Sequence, residues 1–211
     1  MSTARWRGLY ALTDGVPRAP EDLASLVEAA IRGGAVLIQY RDKGTDDRRR
    51  RAEAATLVTV CHAHGVPLLV NDDVALALAV GADGAHLGRD DLPLAAARRQ
   101  LGPRAILGVS CYADPERALA AQAEGASYVA FGRFFPSLTK PGASPANLEM
   151  LARVRPRLHL PVVAIGGVTP ENGPVLITAG ADLLAVVHGI FGEPDPRTAA
   201  ERYARLFPPV S

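Results

Sequence analysis

Lysine is almost missing from this chain of 211 residues: of 23 basic side chains only Lys43 and Lys140 are lysine. Arginine serves wherever charge alone is wanted, so the two exceptions ask for a positional reason. Aromatic residues are scarce at 5% while 48% of residues are hydrophobic, so a core has to be built from Ala, Val, Leu and Ile. Net charge is small as well, and a formal +1 offers no global field for nucleic acid or a membrane surface. The densest basic run, Arg48 to Arg51, falls in a helical pattern and reads as a solvated face. No apolar run reaches the roughly 18 residues that suggest a membrane span. The opening stretch MSTARWRGLYALTD lacks the long apolar segment of a secretory signal. Cysteine is limited to Cys61 and Cys111, far apart and outside any metal-type spacing, which fits free thiols in a reducing compartment. A cytoplasmic protein is expected, with no nucleic-acid or membrane partner.

What the chain does have is a repeat of pattern. A short apolar run, a polar or glycine-rich turn and an Ala/Leu-rich helical stretch recur eight times, with no low-complexity linker between them. Strands are expected near Gly8–Thr13, Val36–Arg41, Pro67–Asn71, Gly84–Leu87, Ala105–Ser110, Tyr128–Gly132, Val162–Gly166 and Leu183–His188. Helix starts are signalled at Ala19-Pro20, Asp114-Pro115, Ser144-Pro145 and Thr169-Pro170. Gly33-Gly34, Gly65, Gly81, Gly125 and Gly180 fit helix ends. Units of roughly 26 residues predict a single (β/α)8 TIM-barrel domain, α/β with parallel strands, over residues 1–211. A doubly wound open sheet is the runner-up, weakened because Thr13-Asp14-Gly15-Val16 does not match the dinucleotide fingerprint.

In such a barrel chemistry sits at the C-terminal ends of the strands. After strand two, Gln39, Arg41 and Lys43 alternate and so project to one side, where they make an anion clamp. Lysine, a compact charge on a movable stem, suits phosphate there. Strand three runs into Asn71-Asp72-Asp73 and strand four into Gly88-Arg89-Asp90-Asp91, two acidic loops side by side on the rim. Carboxylates beside a cationic clamp suit Mg²⁺ with a polyphosphate, although Asp73 and Asp91 could equally cap the helices that follow. Ser110 offers a hydroxyl at the end of strand five. The loop after strand six holds Ser137, Thr139 and Lys140. Gly166-Gly167 after strand seven and Val187-His188 at strand eight suggest a second anion site, free of metal. His62 and His64 are a poor metal pair on a helix, and His86 reads as packed within its strand.

Taken in order, GLYALTD, IQYRDK, VNDDVALAL, GAHLGRDDL, LGVS, FPSLTKPGA and IGGV resemble the thiamine phosphate synthase family over nearly the whole chain. The resemblance implies an enzyme, a transferase that joins hydroxymethylpyrimidine diphosphate to a thiazole phosphate with loss of diphosphate. It implies that the pyrimidine diphosphate is held by Gln39, Tyr40, Arg41, Asp42, Lys43, Asn71, Ser110 and Lys140. It assigns Mg²⁺ to Asp72 and Asp91. It gives the thiazole phosphate to Ser137, Leu138, Thr139, Gly167, Val187 and His188. Arg41, Lys43 and Lys140 would assist a dissociative departure of diphosphate that leaves a carbocation for the thiazole nitrogen. Two positions depart from the family pattern: Ser137 where threonine is common, and His188 where serine is common. Closure of the Pro136–Pro145 loop and association of like copies are both compatible with the sequence. A thiazole tautomerase is disfavoured because no histidine follows Ser110-Cys111-Tyr112. A Schiff-base aldolase is disfavoured because Arg133 stands where its lysine would be. A non-catalytic binding protein is disfavoured because the metal and diphosphate residues are all present.

Overall fold

Short runs of leucine, valine and alanine become strands here because alternate side chains find two separate apolar environments. The computed structural model describes residues 6–136 and 146–207. Among them, eight parallel strands close in sequence order into a barrel. They are β1 (Gly8–Leu12), β2 (Ala35–Tyr40), β3 (Leu68–Asn71), β4 (Gly84–Leu87), β5 (Ile106–Tyr112), β6 (Tyr128–Gly132), β7 (Val162–Ile165) and β8 (Leu183–Val186). Helices alternate with them: α1 (Pro20–Arg32), α2 (Asp47–Ala63), α3 (Val74–Val80), α4 (Leu94–Leu101), α5 (Pro115–Ala123), α6 (Leu148–Val154), α7 (Gly173–Thr178), then α8 (His188–Phe191) and α9 (Pro196–Ala204). The (β/α)8 architecture expected from the pattern is the one found. No helix of the described residues is long and apolar enough to cross a membrane.

The alternation divides the core in two. Leu9, Ala11, Ile38, Tyr40, Val129 and Phe131 point outward and pack between sheet and helices. Tyr10, Leu12, Leu37, Leu69, Tyr128, Ala130 and Val163 point inward and fill the barrel. Gly108 on β5 faces inward opposite Tyr128. A Cβ there would overlap the Tyr128 ring and its hydroxyl, so glycine makes the room in which that phenol lies across the interior.

Some local expectations change. β5 runs on through Cys111 and Tyr112, with an irregularity in its pairing with β6 between Ser110 and Tyr112. His188 leaves the strand, because Val187 turns the chain and α8 starts there. Asp73 caps α3, accepting from the Leu76 N–H at 2.8 Å, whereas α4 starts after Pro93 with no side-chain cap, so Asp91 is spared that duty. α6 starts at Leu148 with Asn147 as its cap, and the expected start at Ser144-Pro145 lies outside the described residues. The Arg48 to Arg51 run is only half a solvated face: Arg48 and Arg51 are exposed, but Arg49 reaches Asp42 and Glu53, and Arg50 reaches Asp47 and Asp73.

Candidate active site

A cavity of about 490 Å³ opens at the C-terminal ends of the strands. Its wall includes Gln39, Arg41, Lys43, Asn71, Asp72, Ser110, Gly167, Val187 and His188. The period of two that placed Gln39, Arg41 and Lys43 on one side holds. For the same reason Tyr40 and Asp42, expected among the binding residues, do not line the cavity with their side chains. They lie on the opposite face of the strand, where the Tyr40 hydroxyl donates to Glu53 at 2.6 Å and Asp42 pairs with Arg49 at 2.5 Å. Ser137, Leu138, Thr139, Lys140 and any closure of their loop lie outside the described residues.

The cationic side of the site is built by backbone bonds. Thr13 Oγ1 accepts from the Arg41 N–H at 2.7 Å and donates to the Arg41 carbonyl at 3.0 Å, tying the end of β1 to the residue after β2. Among the described residues the Arg41 guanidinium has no carboxylate partner, so a cation faces the cavity. Lys43 forms an ion pair with Asp72, which also accepts from the Asn71 amide at 2.7 Å. Asp72 has φ of 62°, an uncommon backbone for a residue with a side chain. Burial would raise its carboxyl, but Lys43 and Asp91 outweigh burial and hold it below the usual carboxylate range. Asp91 goes the other way: burial and the Asp72 carboxylate raise it, against the Gly88 N–H that donates to it at 2.6 Å. Two carboxyls thus lean on one another, one taking the charge and the other resisting it. Among the described residues no cluster of three or more His, Cys, Asp or Glu suited to a metal is present.

Across the cavity the wall is backbone-rich. Gly166 and Gly167 have φ of 101° and 66°. The segment after β6 passes close over them: the Phe135 N–H donates to the Gly166 carbonyl at 3.0 Å, and a Cβ on Gly167 would lie 2.9 Å from that of Phe135. These glycines are therefore needed for packing. His188 and Gly189 open α8, whose first N–H groups have no acceptor inside the helix.

Three inward residues escaped the sequence: Tyr10, Tyr128 and His86. His86 is packed in β4 as expected, but it also lines the cavity and joins two polar partners, Tyr128 and Ser110. The available signal was the placement of tyrosines within strands of an aromatic-poor chain, one of them paired with a glycine.

Comparison with known proteins follows the same residues. A family model described as thiamine monophosphate synthase matches residues 9–190. A thiamine-phosphate synthase of Thioalkalivibrio sulfidiphilus is 52% identical over 203 residues, covering 96% of both chains. One from an Azoarcus species is 53% identical over 203 residues, covering 96% of this chain and 98% of its own. Among solved structures, a thiamine phosphate pyrophosphorylase from Pyrococcus furiosus superposes with a TM-score of 0.85 at 34% identity, covering 94% of each chain.

Proposed function

The chain belongs to the thiamine monophosphate synthase family of transferases, and on that premise we propose that it is a Mg²⁺-dependent enzyme joining an aminopyrimidine methyl diphosphate to a thiazole phosphate. The products are thiamine phosphate and diphosphate; a carboxylated thiazole would lose carbon dioxide as well. The observation that carries this reading is the meeting of Arg41, Lys43 and Asp72 in the wall of one cavity, with Asp91 leaning on Asp72 from behind that wall. A cytoplasmic location belongs to the same proposal and agrees with two buried free thiols.

The reaction needs a leaving group stabilised more than it needs a nucleophile. The bond between the methylene carbon and the diphosphate oxygen breaks, and its electron pair departs with diphosphate. The pyrimidine-stabilised cation left behind accepts the lone pair of the thiazole nitrogen, which forms the new carbon–nitrogen bond. Arg41 supplies a fork of donors that no carboxylate of the described residues occupies, and Lys43 a movable point charge. Both are aimed where negative charge grows during departure. Gln39, Asn71 and Ser110 hold the pyrimidine portion, and Gly167, Val187 and His188 the thiazole phosphate. Two carboxylates as hard oxygen donors suit Mg²⁺, which commonly fills its other positions with water and substrate phosphate. When bound, the ion supplies Lewis-acid neutralisation of the departing diphosphate. With the side chain of Tyr40 turned away, the clamp is Gln39, Arg41 and Lys43 rather than the whole segment.

A direct assay of thiamine phosphate formation, with both substrates and with or without Mg²⁺, tests the proposal. Asp72→Ala and Asp91→Ala should each lower turnover by about 100-fold or more with little change in the unfolding midpoint. Full activity of either variant at limiting Mg²⁺ would remove the metal assignment.

A further inference from the structure

Gln39 is 1% exposed, and its carbonyl oxygen Oε1 has no hydrogen-bond partner. Its amide nitrogen, by contrast, donates to the Tyr10 hydroxyl at 2.6 Å. From Tyr10 a chain of polar contacts crosses the barrel. Tyr10 and Tyr128 hydroxyls are 2.8 Å apart. Tyr128 meets His86 Nδ1 at 2.8 Å. His86 Nε2 meets Ser110 Oγ at 2.8 Å. Both ends of this chain, Gln39 and Ser110, line the cavity. Burial pushes both phenols far above their ordinary pKa, so each keeps its single proton.

With one proton on each phenol and one on the imidazole, the chain has two complete senses; an imidazole donating at both nitrogens would turn Tyr128 and Tyr10 toward the Gln39 oxygen, which the structure leaves without a partner. In the first, the Gln39 amide donates to Tyr10, Tyr10 to Tyr128, Tyr128 to His86 Nδ1, and His86 Nε2–H to Ser110. Gln39 then shows its carbonyl to the cavity, and Ser110 is left with a proton to give. In the second every donor and acceptor is exchanged, including the imidazole tautomer, so that Gln39 shows its amide N–H and Ser110 its lone pairs. Mixed states leave a buried polar group unpaired, which is expensive. The Gln39 amide has the orientation that belongs to the first sense.

We infer that Tyr10, Tyr128 and His86 are positioning residues that tie the hydrogen-bond sense of Gln39 to that of Ser110, making the site selective for a ligand with a donor at Gln39 and an acceptor at Ser110. The inference rests on the pyrimidine diphosphate reading above and deepens it. The exocyclic amino group of the pyrimidine is the donor. A ring nitrogen or a diphosphate oxygen of the same molecule is the acceptor. A ligand offering acceptors to both ends cannot satisfy either sense of the chain.

The test compares binding of the aminopyrimidine diphosphate with that of its methoxy analogue, in which the donor becomes an acceptor. Calorimetry without the thiazole keeps turnover out of the measurement. Wild type should favour the amino compound by about 100-fold. Tyr128→Phe removes one hydroxyl but keeps the ring, frees the Gln39 amide to turn over, and should narrow the preference to within about tenfold. Tyr10→Phe cuts the chain at its neighbouring link and should narrow it likewise, which guards against one variant folding poorly. A purely structural role for the phenols would weaken both ligands equally and leave the ratio where it was, overturning the inference. Absence of preference in wild type would overturn it too. If wild type binds neither pyrimidine, the proposed function fails and this inference with it; normal thiamine phosphate formation with an unchanged ratio condemns the relay alone.

Discussion

The two faces of β2 carry polar clusters of similar size and opposite completeness. Outward, Tyr40 donates to Glu53, Arg49 bridges Glu53 at 2.8 Å and Asp42 at 2.5 Å, and Asp42 accepts from the Gly44 N–H at 2.5 Å. Inward, Gln39 begins a chain that ends at Ser110 and leaves one buried oxygen without a partner. Burial alone does not separate them, since Glu53 and Gln39 are both 1% exposed. Completeness does. A closed cluster is satisfied by the fold and fixes the loop that carries Lys43, whereas an open one keeps an acceptor that the fold does not satisfy.

The largest expected effect breaks the outer face. Glu53→Ala leaves the Arg49 guanidinium short of a partner and leaves the Tyr40 hydroxyl only the longer contact to Asp42 at 3.4 Å, and should cost about 3 kcal/mol of stability in urea unfolding. Lost turnover with unfolding unchanged would instead move the outer cluster into the site. The inner face should give the reverse signature. Gln39→Leu removes an oxygen that the fold never satisfied together with the amide that donates to Tyr10, so stability should fall by about 1 kcal/mol. Catalytic efficiency with the pyrimidine diphosphate should fall by about 10- to 100-fold. A Gln39→Leu protein that unfolds far more readily but turns over normally would make the inner chain a piece of ordinary core.

The contrast also explains what could be read from the sequence. The barrel was legible because each unit carries its own punctuation: Asp114-Pro115 starts α5, and Gly81 with φ of 71° ends α3. Gln39, Arg41 and Lys43 were legible because a period of two is a local property of one strand. Tyr40 and Asp42 entered only through resemblance to a contiguous motif, and the same period shows why their side chains turn away. Thr13 and His86 were illegible because their roles depend on closure. His86 meets Tyr128 across 42 residues of chain, in space that exists only because position 108 has no side chain. A lone histidine in an apolar strand gives no local sign of such a partner. Asp91 could be read as a cap of the next helix, a role the structure removes, since α4 starts after Pro93 with no side-chain cap.

The smallest expected effect is one in which the two faces behave alike. Burial raises the Tyr40 phenol, and the nearby Glu53 carboxylate raises it further; burial raises Tyr10 and Tyr128 on the inner side. An unfolded tyrosine ionises near pH 10, so above that pH the unfolded chain releases protons that the folded one keeps. The stability these phenols lend is therefore fully present below about pH 10 and is lost as pH climbs toward their folded values. Each contributes a slope of about 1 kcal/mol per pH unit between about pH 10 and 11, rising toward about 1.4 as the unfolded phenol becomes fully ionised. Replacing Tyr40 or Tyr128 by Phe should flatten the slope between about pH 10 and 11 by that amount, whichever face is chosen. Urea unfolding at stepped pH, with phenolate absorbance read on the native protein, measures both halves of the claim. A slope that flattens for Tyr40→Phe but not for Tyr128→Phe would mean that the inner phenol already ionises in the folded protein. The single-proton count on which the two senses of the inner chain depend would then fail at its middle link.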